Sequence, residues 1–214
     1  MTKFSFVSAV LISSLFLFKY QLNAQDTLRN KKDGNYLFTI KKDIEANEVQ
    51  NQNRTGTCWS FSALSFIESE LIRMGKGKHK LSEMYIVRKA YEDKAENYVR
   101  MHGTANFSQG GAFHDIPYVI SKYGIVPQEA YKGLDYGLEN HNHSEMEAVL
   151  KGILDAVIAN KQRKLTSSWK KAFNAVLDSY LGAVPDNFTY NGTSYTPMSF
   201  AKSLDINMDD YVII

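Results

Sequence analysis

The stretch that decides the fold is Gln52-Asn53-Arg54-Thr55-Gly56-Thr57-Cys58-Trp59-Ser60-Phe61-Ser62. It holds the single cysteine of a 214-residue chain, directly after a loop that contains glycine. From Cys58 onward, apolar residues recur every three or four positions, which predicts an amphipathic helix that ends at Gly75. Amide groups at a helix N-terminus stabilise a thiolate over a thiol, and the thiolate is the attacking species in nucleophilic catalysis. Cys58 is therefore a candidate nucleophile. The alternative is a small buried hydrophobic residue, the usual role of a lone cysteine.

Gln52 lies upstream of the cysteine, on a loop that can fold back toward the sulfur. Its side-chain amide and the backbone amide of Cys58 could donate hydrogen bonds to the negative oxygen of a tetrahedral intermediate. We therefore expect Gln52 to form an oxyanion hole with the cysteine.

Composition excludes several classes of protein. The chain is 44% hydrophobic, which argues against disorder and low-complexity sequence. One cysteine allows neither an intramolecular disulfide nor a zinc site built on cysteine pairs. The 25 Lys and Arg residues nearly balance the 23 Asp and Glu residues, so no basic surface for nucleic acid is expected. We also expect no cofactor and no metal ion.

The N-terminus has the pattern of an export signal. Residues 1–24 combine Lys3, an apolar stretch too short to span a bilayer comfortably, and Ala24 before Gln25. Cleavage would give a periplasmic or extracellular protein with no stable membrane span, and a retained anchor is the alternative. Residues 25–50 are expected to form an irregular, charged lead-in with one extended segment, Tyr36 to Ile40.

Further along the chain, hydrophobic spacing and capping residues predict more helices and one hairpin. A second helix begins near Ser82, and Trp59, Phe61 and Phe66 are expected in the core. The other predicted elements are helices over 112–123, 144–159 and 168–181, a hairpin of 188–190 with 193–195 around Asn191-Gly192, and a short helix entered through Thr196-Pro197.

The segment from Gln52 to Ser62 resembles the active-site segment of papain-like cysteine peptidases, in which a glutamine precedes the Cys-Trp pair that opens the central helix. A second block, Gln109-Gly110-Gly111, resembles the Gly-Gly pair that lines the cleft in that family. The resemblance implies an α+β papain-like fold and a substrate-binding role for Gly110 and Gly111, with Gly111 as the backbone partner of an extended peptide. Taken alone, a Gly-Gly pair would indicate only a turn.

Within that family, the chain resembles most the bleomycin hydrolase and aminopeptidase C branch, from about Asn51 to its end. The motifs that carry this resemblance are Leu81-Ser82-Glu83, Tyr123-Gly124-Ile125-Val126-Pro127 and Thr196-Pro197. Resemblance to this branch implies peptide substrates and aminopeptidase action through an acyl-enzyme intermediate. It also allows for a homo-oligomer. The lead-in before Cys58 is also too short for the long inhibitory propeptide of secreted papain relatives, and the branch has none.

Papain-like chemistry also needs a histidine and an asparagine that orients it. The histidines are all closer to Cys58 than the spacing of about 130–150 residues typical of papain relatives, and none matches the motif. They are His79, His102, His114, His141 and His143. We therefore expect the catalytic His and Asn beyond residue 214, and the strand-like run Tyr211 to Ile214 suggests truncation rather than a buried terminal strand. Residues 51–214 would then be the helical half of the domain, largely without its β-rich half and inactive alone.

Two alternatives remain open at this point. Glu139, His141, His143 and Glu145 could bind a metal ion, although a solvated polar loop is the favoured interpretation. The whole chain could instead be a non-catalytic peptide-binding helical module derived from the same fold, or a structural helical domain with a buried cysteine.

Overall fold

The computed structural model describes residues 27–161 and 164–211. These residues form two compact units, one that ends at Ile44 and one that begins at Glu45. In the first unit, strand β1 (Thr27–Arg29) pairs antiparallel with β2 (Leu37–Thr39), with Leu28 opposite Phe38. The expected extended segment is thus present, and β1 is an additional strand. The predicted signal, residues 1–24, lies outside the described residues.

The second unit is mainly helical, with one β-hairpin. Its elements are α1 (Cys58–Arg73), α2 (Glu83–Arg100), α3 (Asp115–Tyr123), α4 (Ser144–Ala159), α5 (Ser168–Leu181), β3 (Phe188–Tyr190), β4 (Thr193–Tyr195), α6 (Pro197–Ser203) and a 3₁₀ turn (Met208–Asp210). The predicted bounds of α4, α5 and the hairpin are confirmed. None of the helices in the described parts of the chain is both long and apolar enough to span a bilayer.

Helix α2 is the centre of this unit, because it packs against α1, α3, α4 and α5. Every residue from Leu81, just before the helix, through Arg88 in its second turn is buried. Ser82 caps the helix as predicted: its hydroxyl accepts the Tyr85 N–H at 3.1 Å and donates to the Tyr131 carbonyl at 2.6 Å. Buried caps of this kind contribute about 1 kcal/mol to stability, and this one fixes where α2 begins.

Helix α1 lies against α2 with one side only. Leu64, Ile67 and Leu71 are completely buried on that side. Ser60 reinforces the contact by donating its hydroxyl to the Glu83 carbonyl at 2.9 Å. The other side of α1 is exposed at Ser62, Ser65 and Phe66 among the described residues.

Two expectations were wrong. Phe66 is 44% exposed and makes edge contacts with Phe113 and Tyr211 instead of entering the core. Helix α3 begins at Asp115 rather than 112, because an Asp115 carboxylate oxygen accepts the Ala112 N–H at 2.8 Å and holds residues 112–114 in a turn. The predicted C-terminal strand, Tyr211 to Ile214, lies outside the described residues except for Tyr211.

Candidate active site

Cys58 is exposed and is the first residue of α1. Thr57, buried just before it, accepts the backbone N–H groups of Ser60 at 2.9 Å and Phe61 at 3.3 Å through its carbonyl. The helix therefore begins at the cysteine, so the positive end of the helix dipole lies at this residue. The structure contradicts the interpretation of Cys58 as a buried hydrophobic residue.

The loop before Cys58 folds back on itself through Gln52 and Thr55. The Gln52 side-chain amide donates to the Thr55 carbonyl at 2.6 Å, and the Thr55 hydroxyl donates to the Gln52 carbonyl at 2.9 Å. The Thr55 and Thr57 hydroxyl oxygens lie 2.5 Å apart. The hydrogen bond from Nε2 to the Thr55 carbonyl uses one of the two N–H groups of the Gln52 carboxamide.

A distant segment anchors the same loop. The Arg54 N–H donates to the His141 carbonyl at 3.0 Å, and the His143 N–H donates to the Arg54 carbonyl at 3.3 Å, so Arg54 pairs parallel with Asn142. This backbone pairing holds Arg54, within the folded-back loop, against residues 141–143.

This anchoring overturns the interpretation of residues 141–143 as a solvated polar loop. His143 is completely buried, and burial together with the nearby His141 lowers its pKa to about 4. Glu145 is engaged by the Tyr180 hydroxyl, which donates to it at 2.6 Å. In the described parts of the chain, no group of three or more His, Cys, Asp or Glu side chains is arranged to hold a metal ion.

Trp59 brings the Gly-Gly segment to the start of α1. Its indole N–H donates to the Gln109 carbonyl at 2.9 Å. A Cβ on Gly111 would lie 2.5 Å from the indole ring, so Gly111 packs directly on Trp59. A Cβ on Gly110 would meet nothing closer than the Ser108 hydroxyl at 3.9 Å, so the space beside Gly110 is open.

Sequence reasoning missed Lys94, which supports the Gly-Gly segment from α2. Its ammonium group donates to the Gly110 carbonyl and lies 5.4 Å from the centroid of the Trp59 ring. Burial lowers the pKa of Lys94, and the Asp115 and Glu147 carboxylates partly oppose that shift. Nothing in the helical pattern distinguishes Lys94 from a surface lysine, because its partners come from other segments.

The other histidines occupy positions with different surroundings. His79 contacts the Tyr190 hydroxyl through Nδ1 at 3.3 Å and the Lys76 carbonyl through Nε2 at 3.0 Å. His102 is exposed in the turn after α2, and exposed His114 lies 3.6 Å from the Asp115 carboxylate.

Comparison with known proteins agrees with this geometry. Residues 38–195 match the family described as papain family cysteine protease. Aminopeptidase W of Lactobacillus delbrueckii subsp. lactis is 29% identical over 226 residues, which cover 82% of this chain and 48% of the relative. Aminopeptidase C of Streptococcus thermophilus is 22% identical, covering 90% of this chain and 51% of the relative.

A third relative, the mitochondrial cysteine proteinase 1 of Saccharomyces cerevisiae, is 26% identical over 135 residues, 53% of this chain and 28% of the relative. The chain thus spans about half the length of the aminopeptidases it matches. The expected α+β fold, with mainly its helical part covered, is confirmed, as is the similarity to the aminopeptidase C branch. The family match covers most of the chain, so this protein belongs to the papain family of cysteine proteases.

Proposed function

We propose that this chain supplies the nucleophile-bearing part of an exported cysteine aminopeptidase. The observation that carries the proposal is the exposed Cys58 at the first residue of α1, beside a Gly110–Gly111 segment that Trp59 fastens to the same helix end. An accessible sulfur, a helix N-terminus and a strip of backbone without side chains are what attack on an extended peptide requires.

In the proposed reaction, the Cys58 thiolate attacks the carbonyl carbon of the scissile peptide bond. The second N–H of Gln52 and the Cys58 backbone N–H donate to the oxyanion that forms. The intermediate collapses when the C–N bond breaks and the leaving amine takes a proton from a histidinium ion. Water, deprotonated by the same histidine, then hydrolyses the thioester and releases the acid product.

We place that histidine, and the asparagine that orients it, beyond residue 214, as the family resemblance implies. The five histidines of the chain are either exposed to solvent or in contact with other residues. None of them matches the family motif.

Aminopeptidase action is proposed because two of the matched relatives are named aminopeptidases. It predicts that the full-length protein cleaves fluorogenic amides of single amino acids with a free α-amino group. The same amides with an acetylated amino group should react at least about 10-fold more slowly, which is about 1.4 kcal/mol of discrimination. Equal rates would indicate an endopeptidase, and binding of peptide without turnover would indicate a non-catalytic module.

The site assignment is tested by variants of the full-length protein. Cys58→Ala should abolish turnover and labelling by an epoxysuccinyl thiol probe, while Gln52→Ala should lower kcat by about 100-fold. Gln50→Ala is the matched control: Gln50 donates to the Glu48 carbonyl at 2.9 Å and should leave kcat within about 2-fold of the wild type. A wild-type rate in Gln52→Ala would remove that residue from the oxyanion hole.

Export is proposed from residues 1–24 and would place the mature start at Gln25. The mass of the protein recovered from a periplasmic or extracellular fraction tests this directly. A product that retains Met1 would contradict cleavage. The homo-oligomer allowed by the family resemblance can be tested on the same material by light scattering.

A further inference from the structure

Gln109 joins Gly56, two residues before Cys58, and Trp59, directly after it, to a third segment. Its side-chain Oε1 accepts the Gly56 N–H at 2.7 Å, and its backbone carbonyl accepts the Trp59 indole N–H at 2.9 Å. On the far side, its Nε2 donates to a Glu147 carboxylate oxygen on α4 at 2.5 Å. The cysteine thus lies between two hydrogen bonds made by one residue.

These partners leave the Gln109 amide only one useful orientation. The Gly56 N–H can only donate, so it requires the amide oxygen, and the Glu147 carboxylate accepts, so it requires the amide nitrogen. Rotating the amide by half a turn would lose both hydrogen bonds and place like groups together. Glu147 therefore determines which end of Gln109 faces the loop before the cysteine.

The approach of this loop to Gln109 is close. A Cβ on Gly56 would lie 2.9 Å from the Gln109 Cβ, so the lack of a side chain at position 56 brings the backbone within hydrogen-bonding distance. Gln109 also begins the Gly-Gly segment, and any displacement of its side chain would move the cysteine loop relative to Gly110 and Gly111.

We propose that Gln109 is a positioning residue for Cys58, held in its working orientation by Glu147. The proposal rests on the proposed function, because the position that it fixes is that of the sulfur relative to the peptide-binding segment. Gln109 contacts no reacting atom in this scheme. It acts through Gly56 and Trp59.

A charge-swap series in the full-length protein tests this pair. Gln109→Glu keeps an acceptor for the Gly56 N–H but sets a carboxylate against Glu147, so the side chain is driven out of place. Glu147→Gln alone keeps an acceptor for the Gln109 Nε2 and serves as the conservative control. In the double variant, the amide introduced at position 147 donates to the carboxylate introduced at position 109, with the net charge of the wild type.

Two readouts are measured for each variant. Labelling of Cys58 by a peptidyl epoxysuccinate reports the sulfur's position relative to bound peptide, and hydrogen–deuterium exchange of a peptide covering residues 52–58 reports the Gly56 N–H. Gln109→Glu should slow labelling by about 10- to 100-fold and speed exchange at least about 10-fold. Glu147→Gln should change both by less than about 3-fold, and the double variant should return both to within about 3-fold of the wild type.

A double variant as slow as Gln109→Glu, or a Gln109→Glu variant like the wild type, would overturn the proposal. Melting temperatures separate positioning from unfolding, since unfolding cannot explain a loss of labelling in a variant that melts at the wild-type temperature. If the wild type fails to react with the peptidyl probe, the proposed function fails. The exchange data then still decide whether Gln109 and Glu147 hold the loop.

Discussion

The two sides of helix α1 differ in a way that separates stability from chemistry. One side buries Leu64, Ile67 and Leu71 completely against the rest of the unit, and the other exposes Cys58, Ser62, Ser65 and Phe66. The buried side fixes the direction of the helix, so the first residue of the exposed side is held in place without being covered. A nucleophile can therefore be both rigidly placed and accessible.

The largest expected effect comes from two neighbouring residues on opposite sides of α1. Ile67→Ala removes a fully buried side chain and should lower the free energy of unfolding by about 3–4 kcal/mol, because it leaves a cavity. Phe66→Ala, at the exposed position, should cost about 1 kcal/mol or less. Urea unfolding of both variants measures the difference. Equal losses of stability would show that the two sides of α1 do not differ in their contribution to stability.

A second prediction concerns Glu83, the first residue of α2, which lines a cavity together with Phe61, Ser62 and Ser65 of α1. Burial raises the pKa of Glu83 to about 7, with the Glu68 carboxylate adding to the shift and Lys80 opposing it. The folded state keeps a proton that the unfolded chain releases near pH 4.5, so the free energy of unfolding should fall between about pH 4.5 and 7, by roughly 3 kcal/mol.

Glu83→Gln, which carries no charge, should flatten that decline. Some slope should remain, because burial also raises the pKa of Glu68. Urea titrations across this pH range check the prediction. A variant with an unchanged slope would show that Glu83 is not the group that titrates.

The smallest expected effect on stability concerns the two glycines, Gly110 and Gly111, near the N-terminal end of α1. Gly111→Ala should cost roughly 1–2 kcal/mol, because its Cβ would overlap the buried Trp59 ring. Gly110→Ala has open space and should leave the melting temperature unchanged. A loss of peptide labelling in Gly110→Ala would then report substrate approach alone, whereas the same loss in Gly111→Ala would combine packing with binding.

Most elements could be predicted because their signals are local. The Asn191-Gly192 turn adopts positive φ at both residues, and Thr196 and Ser199 form a reciprocal capping box at the start of α6. Both are determined by residues adjacent in sequence. Phe66 could have been placed correctly as well, because helical rotation turns it away from the side that Leu64, Ile67 and Leu71 share.

The rest depends on contacts between distant segments. From the sequence, His143 is part of a polar loop, but in the structure its backbone pairs with Arg54. Lys94 has the sequence pattern of a surface residue, but in the structure it donates to the Gly110 carbonyl. The positions of Gln52 and Cys58 in the sequence predicted an exposed sulfur and a folded-back loop. The sequence could not show that Gln109 and Glu147 hold that loop, because only the tertiary fold brings them together.

The pairing of Arg54 with residues 141–143 has a consequence for the order of events during synthesis. The loop before the cysteine is made early, but the segment that shapes it leaves the ribosome much later, with the start of α4. Contacts between such distant segments form only after the entropy of closing a long loop has been overcome. The nascent chain therefore carries Cys58 for a time without the loop geometry that the pairing of Arg54 with residues 141–143 fixes.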